Sequence, residues 1–282
     1  MHGTTYSAAV NVGDVMHTYA IAEVVNSRVG HVAGGDIVLT ESGWADYSVV
    51  TGADLSPVPR PKTLSHLLSI QDIAGTTAYH CLLDIGQPAT AETVVVSAPA
   101  ASVRMYVGQI AKLKGCLAVG IAGGQEKCNW VVKVLGFDAC IDYRSPNFFR
   151  ELRAACPDGI DIYFDNVGGQ VLESALFLMN MYARVVCCGA VSQYNKTSPS
   201  GPRNLPGLVV VKRLRMQGFI VMDFADQASR AEQDLSRWVA EQQIIVVEDI
   251  IDALEHPPAA LIGLLAGDNR GKRMVRVAGD RM

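Results

Sequence analysis

The 282-residue sequence predicts an α/β fold built around a doubly wound parallel sheet. Three observations carry that prediction. Glu92 to Gln125 reads as an apolar strand, a turn of small residues, a helix and a second apolar strand. The same alternation of apolar strand and amphipathic helix continues from Glu126 to Cys188. Met1 to Pro61, in contrast, is rich in short strand-like runs and glycine turns, and reads as a separate module.

Taken in order, Ala20 to Val25, Asp36 to Leu39 and Trp44 to Val50 read as short strands, with Gly30, Gly34, Gly35, Gly43 and Gly52 between them. Ser56 to Lys62 is a proline-rich connector. Thr63 to Leu83 has helical spacing, broken near Ala74 and Gly75, and Thr77 stands where a hydroxyl caps a helix start or reaches a ligand. Thr93 to Ser97, Val103 to Leu113 and Leu117 to Ile121 then form a βαβ unit with the spacing of a dinucleotide-binding fold. In such a unit, backbone N–H groups at the helix N-terminus hold a pyrophosphate, helped by the helix dipole. Here the turn carries Ala101 and Arg104 where glycines would let the backbone come close, and Gly108 follows one helical turn later.

Helix Glu126 to Leu135 ends at Gly136, and strand Ala139 to Asp142 leads to Tyr143 and Arg144. Phe148 to Ala155 is a helix, Ile160 to Asp165 a strand, Val171 to Met179 a helix and Ala183 to Cys188 a strand. Ser192 to Gly207, with Pro199, Pro202 and Pro206, reads as a long polar loop. Arg215 to Val221 is a strand and Gln227 to Gln242 an amphipathic helix. The tail alternates strand, helix (Pro258 to Ala266) and strand (Arg273 to Val277).

Composition narrows the function classes. Hydrophobic residues make up 49% and charged residues 18%, which suits a globular chain. A net charge of −4 argues against a nucleic-acid or anionic-membrane partner. No apolar run is long enough to span a bilayer. MHGTTYSAAVNVGD lacks the basic and apolar regions of a signal peptide, so the expected location is the cytoplasm. The 7 cysteines form no CxxC pair and the 6 histidines no HxH or HExxH pattern, so reduced cysteines and no metal site are expected.

GTTAYHCLLDIGQP, ETVVVSA, VGQIAKLKGC, GIAGGQEKC, LGFDACIDYRS, CPDGIDIYFDNVGG, CGAVSQYN, GPRN, LRMQGFIV and GDNRGK together resemble the zinc-free medium-chain dehydrogenase/reductases. The similarity is to the branch of prostaglandin, alkenal and curcumin reductases and leukotriene 12-hydroxydehydrogenases, and it runs along essentially the whole chain. It implies a partial GroES-like β-barrel domain over residues 1–72, a Rossmann NADP-binding domain over 73–235 and a return to the first domain over 236–282. It also implies a homodimer and an NADP(H) cofactor. The implied reaction is reduction of the C=C bond of a small enal or enone.

Residue by residue, the resemblance puts Lys127 and Tyr143 at the adenosine 2′-phosphate, with Gly123 lining the same turn. That agrees with the local chemistry, since no acidic residue at the tip of the second strand suits a ribose 2′-hydroxyl. Asn166, Cys188, Gly189, Ala190, Ser192 and Asn269 match positions around the nicotinamide and its ribose, and Thr77 one near the nicotinamide. Tyr194 and Trp44 border the implied substrate cleft, where each also reads as an ordinary packed aromatic. Tyr194 is the candidate catalytic donor.

Departures from the family pattern leave alternatives open. Ala101 and Arg104 replace glycines at the cofactor turn, and Arg104 either pairs with a phosphate or fills the site. His17 to Ala22 lacks the family's glycine-rich segment, and roughly the first half of the barrel domain is missing from the pattern, which would expose a sheet edge. Val211 and Met222 stand where some relatives carry aromatics. Two other functions therefore stand beside the reductase: a cofactor-impaired homologue with a dimerising or regulatory role, and a quinone reductase.

Overall fold

The computed structural model describes residues 10–52, 55, 57–60, 63–194, 196, 198 and 200–277. Ser56, Pro61 and Lys62 of the expected connector, and Asn195, Thr197 and Pro199 of the expected loop, lie outside them. The chain divides into two compact units, Met1–Asp72 with Val246–Met282, and Ile73–Ile245. Among the described residues no helix is long and apolar enough to cross a membrane.

In the first unit, β1 (His17–Glu23) pairs antiparallel with β2 (Ile37–Gly43), His17 opposite Gly43 and Glu23 opposite Ile37. Trp44 to Val50 does not form the expected third strand. No ladder reaches it among the described residues, and Tyr47 and Val49 are exposed, so its apolar alternation has no sheet to pack on. A 3-10 turn at Leu64–Leu67 follows. Ser65 and Ser69 there donate to the two oxygens of Glu248, at 2.6 and 2.8 Å. Glu248 opens β9 (Glu248–Asp252), which lies parallel to β10 (Lys272–Arg276).

The second unit begins with α1 (Ile73–His80), which runs directly into a π-helical turn at Cys81–Gly86. The expected break near Ala74 and Gly75 is absent. Both residues are buried inside α1, and the interruption falls before Ile73. Then come β3 (Thr93–Ser97), α2 (Ser102–Leu113), β4 (Leu117–Ala122), α3 (Gln125–Leu135) and β5 (Ala139–Asp142). They are followed by α4 (Phe148–Ala155), β6 (Ile160–Asp165), α5 (Gly169–Leu178) and β7 (Met179–Cys187). After a 3-10 turn at Val191–Gln193, α6 (Leu205–Lys212), β8 (Arg215–Gly218) and α7 (Ala228–Ala240) complete the unit.

The six strands form one parallel sheet in the order β5-β4-β3-β6-β7-β8. The order reverses between β3 and β6, so this is the doubly wound dinucleotide-binding topology, in which ligands lie beyond the strands' carboxyl ends. Val94, Val95 and Val96 of β3 are fully buried, as a strand covered on both faces requires. Val95, Val119, Tyr163 and Val185 share one core with Leu152 and Leu176 from the helices.

Two further expectations in this unit are corrected. The region read as a loop to Gly207 already contains the start of α6. Its Pro206 stands in the first helical turn, where a missing N–H costs nothing. The strand expected to run to Val221 stops at Gly218, because its partner β7 ends at Cys187 and offers no further ladder.

Candidate functional site

The turn after β3 shows how the chain manages without its glycines. Ala101 has φ −101° and ψ 165°, an extended conformation in which its methyl group is unstrained. The left-handed residue is Ala98, at φ 49°, and its N–H donates to Ile121 O at 2.7 Å. No side chain caps α2. The retained glycine serves packing: a Cβ on Gly108 would come within 1.8 Å of buried Phe137, so α2 sits this close to its neighbour only without one.

Arg104 stands in the first turn of α2. Its side chain keeps some exposure, yet Nε and Nη1 are buried and have no hydrogen-bond partner among the described residues. Burial brings the guanidinium down to about 10, so it remains charged at neutral pH, while Cys188, Tyr194, Asp165 and Tyr163 act electrostatically in its favour. One oxygen of the acid among these neighbours is committed elsewhere. Asp165 Oδ1 accepts from Val167 N at 3.0 Å, Gly168 N at 2.9 Å and the Tyr163 hydroxyl at 3.3 Å. Burial raises the Asp165 carboxyl, against the pull of the Gly168 and Val167 N–H groups. Its structural task is to hold the turn between β6 and α5.

Around that turn several expected residues come together. A Cβ on Gly189 would lie 2.0 Å from Asn166 Oδ1 and 3.0 Å from the Tyr194 hydroxyl, so the missing side chain leaves room for both. Ala190 N donates to the Tyr194 hydroxyl at 3.4 Å, and Cys188 N to Asp165 O at 2.8 Å. Asn166 is anchored by its own N–H to Ser97 Oγ at 2.9 Å. Ser192 Oγ donates to Val167 O at 2.6 Å. The Cys188 thiol bonds that of Cys81, which lowers Cys188 and, with burial, raises Cys81. Both are free thiols.

A second group forms at the tips of β4 and β5. A Cβ on Gly123 would lie 2.9 Å from Tyr143 Cε1 and 3.3 Å from Arg144 Nε. The Arg144 guanidinium lies 5.7 Å from the Tyr143 ring centre, and hydrogen bonding to Tyr143 is the first cause raising it. Asp142 Oδ1 accepts from Gly124 N and Arg144 N, both at 2.9 Å, which fixes this tip. Lys127 stands in the first turn of α3. Arg144, which the sequence pattern does not single out, joins this group of candidate residues. Its signal was a second cation beside Tyr143.

Thr77 lies buried in the middle of α1, so it caps nothing. Trp44 and Asn269 belong to the other compact unit, where buried Asn269 uses its Nδ2 to hold Gly271 O at 2.8 Å. Among the described residues no group of three or more His, Cys, Asp or Glu side chains could hold a metal ion.

The doubly wound sheet has the topology of a dinucleotide-binding domain, and this chain belongs to the medium-chain dehydrogenase/reductase family. The family model described as "Zinc-binding dehydrogenase" matches residues 103–241, and "N-terminal domain of oxidoreductase" matches 1–58. The chain is 46% identical to NADPH-dependent curcumin reductase of Escherichia coli, over 98% of its own length and 82% of that protein's. It is 36% identical to 2-alkenal reductase (NADP(+)-dependent) of Nicotiana tabacum, over 97% of its own length and 80% of that protein's. Among solved structures it is similar to CurA of Vibrio vulnificus in complex with NADPH, at 39% identity and a TM-score of 0.93, covering 99% of this chain and 85% of that one.

Proposed function

We propose that the protein is an NADPH-dependent reductase of the activated C=C bond of small enals or enones, working in the cytoplasm as a homodimer. The observation that carries this reading is the pair of groups at the carboxyl ends of one parallel sheet. One is cationic, with Tyr143, Arg144 and Gly123 at the tips of β4 and β5. The other presents polar groups, with Asn166, Gly189, Ala190 and Tyr194 at the ends of β6 and β7. The residues fit a dinucleotide: an uncapped helix N-terminus lies between the two, beside a buried guanidinium with unpaired nitrogens.

Tyr143, Arg144 and Lys127 would hold the adenosine 2′-phosphate as cation and hydroxyl donors. Asn166 and the Gly189–Ala190 backbone would orient the nicotinamide half. Bound NADPH would supply a hydride to the β-carbon of the unsaturated carbonyl compound. The half-exposed Tyr194 hydroxyl would donate a hydrogen bond to the enolate oxygen, and solvent or a hydroxyl would then protonate the α-carbon. Most of the acceleration would come from positioning.

Calorimetric titration with NADPH, and with NADH as control, tests the reading. Micromolar NADPH binding, weaker for NADH, is expected. Lys127→Ala should weaken NADPH by roughly tenfold or more, through a lost charge-assisted contact, and leave NADH nearly unchanged. A folded protein without NADPH affinity would sink the reductase reading and leave the cofactor-impaired one. If NADPH binds, parallel assays with an enal and a quinone separate the two reductase readings.

A further inference from the structure

Arg104 is the feature that the family pattern leaves unexplained. A buried cation is expensive unless an anion or a full set of acceptors compensates it. Nε and Nη1 of Arg104 have no hydrogen-bond partner among the described residues, and the nearby Asp165, whose charge favours the guanidinium from a distance, spends Oδ1 on two backbone N–H groups and a phenol. The side chain stands in the first turn of a twelve-residue helix whose N-terminus no side chain caps. It therefore adds a full positive charge to the partial one that the helix already presents.

We infer that Arg104 is a phosphate ligand: its guanidinium pairs with the pyrophosphate of the dinucleotide, doing with a side chain what close backbone approach at a glycine does in the ordinary turn. This rests on the proposed NADPH-dependent function and adds to it the role of one residue. The planar fork of a guanidinium matches two phosphoryl oxygens, which an ammonium cannot reproduce. The pyrophosphate is the anionic group a dinucleotide lays across the turn after the first strand. The adenosine 2′-phosphate is served separately by the tips of β4 and β5, where Gly123 meets Tyr143 and Arg144. The negative φ at Ala101 fits the same scheme, since the turn keeps its geometry without a glycine there.

The test is a titration of the full chain and its Arg104→Met, Arg104→Lys and Arg104→Gly variants, with folding checked by circular dichroism. Three probes are used: NADPH, adenosine 2′-monophosphate and inorganic pyrophosphate. Arg104→Met should weaken NADPH by roughly ten- to a hundredfold, the range for a hydrogen-bonded charge pair. It should abolish pyrophosphate binding and leave adenosine 2′-monophosphate unchanged. Arg104→Lys should recover part of the loss. If Arg104→Met or Arg104→Gly binds NADPH as tightly as the parent chain or more tightly, Arg104 fills the site instead, and the inference fails while the cofactor reading stands. If neither the parent nor Arg104→Gly binds NADPH, the cofactor reading has failed and this inference falls with it.

Discussion

At the scale of single residues, the site depends as much on side chains that are missing as on those present. Gly189 is the clearest case, because a methyl group there would collide with Asn166 Oδ1 and press on the Tyr194 hydroxyl. Gly189→Ala should therefore leave the melting temperature within a few degrees, since both neighbours can swing outward, and lower kcat/KM for an enal by roughly ten- to a hundredfold through misplacement. Steady-state kinetics beside a thermal melt would check this, and an unchanged kcat/KM would remove the Asn166–Tyr194 pair from the site. Much at this scale was legible in the chain. Tyr143, Asn166 and Gly189 follow the ends of β5, β6 and β7, where topology places ligands, and Tyr194 follows the 3-10 turn after β7. Arg144 was not, because its value comes from lying against Gly123 across two strand tips. The conformation of Ala101 was equally hidden, since a backbone φ depends on the whole turn.

Among the elements, an ion pair joins strands that the chain keeps far apart. Arg184 of β7 donates Nη1 to Glu92 Oε1 at 2.8 Å and Nη2 to Glu92 Oε2 at 2.5 Å. Its Nε and Nη2 also bond Gly86 O and Gln87 O, at 2.9 and 3.1 Å. One guanidinium thus ties together the end of the π-helical turn, the approach to β3 and β7. Burial would raise the Glu92 carboxyl, but the bonds from Arg184 and Ala89 N, with the Arg184 charge, bring it below its ordinary value. A depressed carboxylate contributes stability that is complete above the unfolded value of about 4.3 and is lost as pH falls through the folded one. Glu92→Gln should therefore lower stability at neutral pH by about 1–3 kcal/mol and flatten its fall in acid below about pH 4.3. Urea unfolding at several pH values measures both, and an acid limb as steep as the parent's would refute the assignment. The strands were readable from their apolar runs, and β3, β5 and β6 begin and end where expected. Trp44 to Val50 was misread because alternation describes a surface, whereas a strand also needs a partner. The onset of α6 was hidden by prolines, which both loops and first helical turns accept.

For the whole molecule, the six-stranded sheet ends in β8, an edge strand with its outer hydrogen-bonding side unpaired among the described residues. Nearby in the chain, Val210, Val211 and Met222 are exposed by 72%, 65% and 56%. Exposed apolar groups together with an open sheet edge suit association with a second copy. Light scattering after gel filtration should give about twice the 30.2 kDa chain mass, and a single-chain mass would rule out the homodimer.

By itself the sequence determined the architecture, because apolar strands alternating with amphipathic helices have few ways to bury themselves other than a doubly wound sheet. It also placed the candidate residues at the strand tips, where such a sheet presents its ligand-facing end. Only the tertiary structure decided where the Arg104 guanidinium lies. Whether a long cation in a helix's first turn points to solvent or inward depends on the groups that converge there from β6 and β7. In this fold they leave Nε and Nη1 buried without a hydrogen-bond partner among the described residues, with Oδ1 of the nearby Asp165 committed to its own turn.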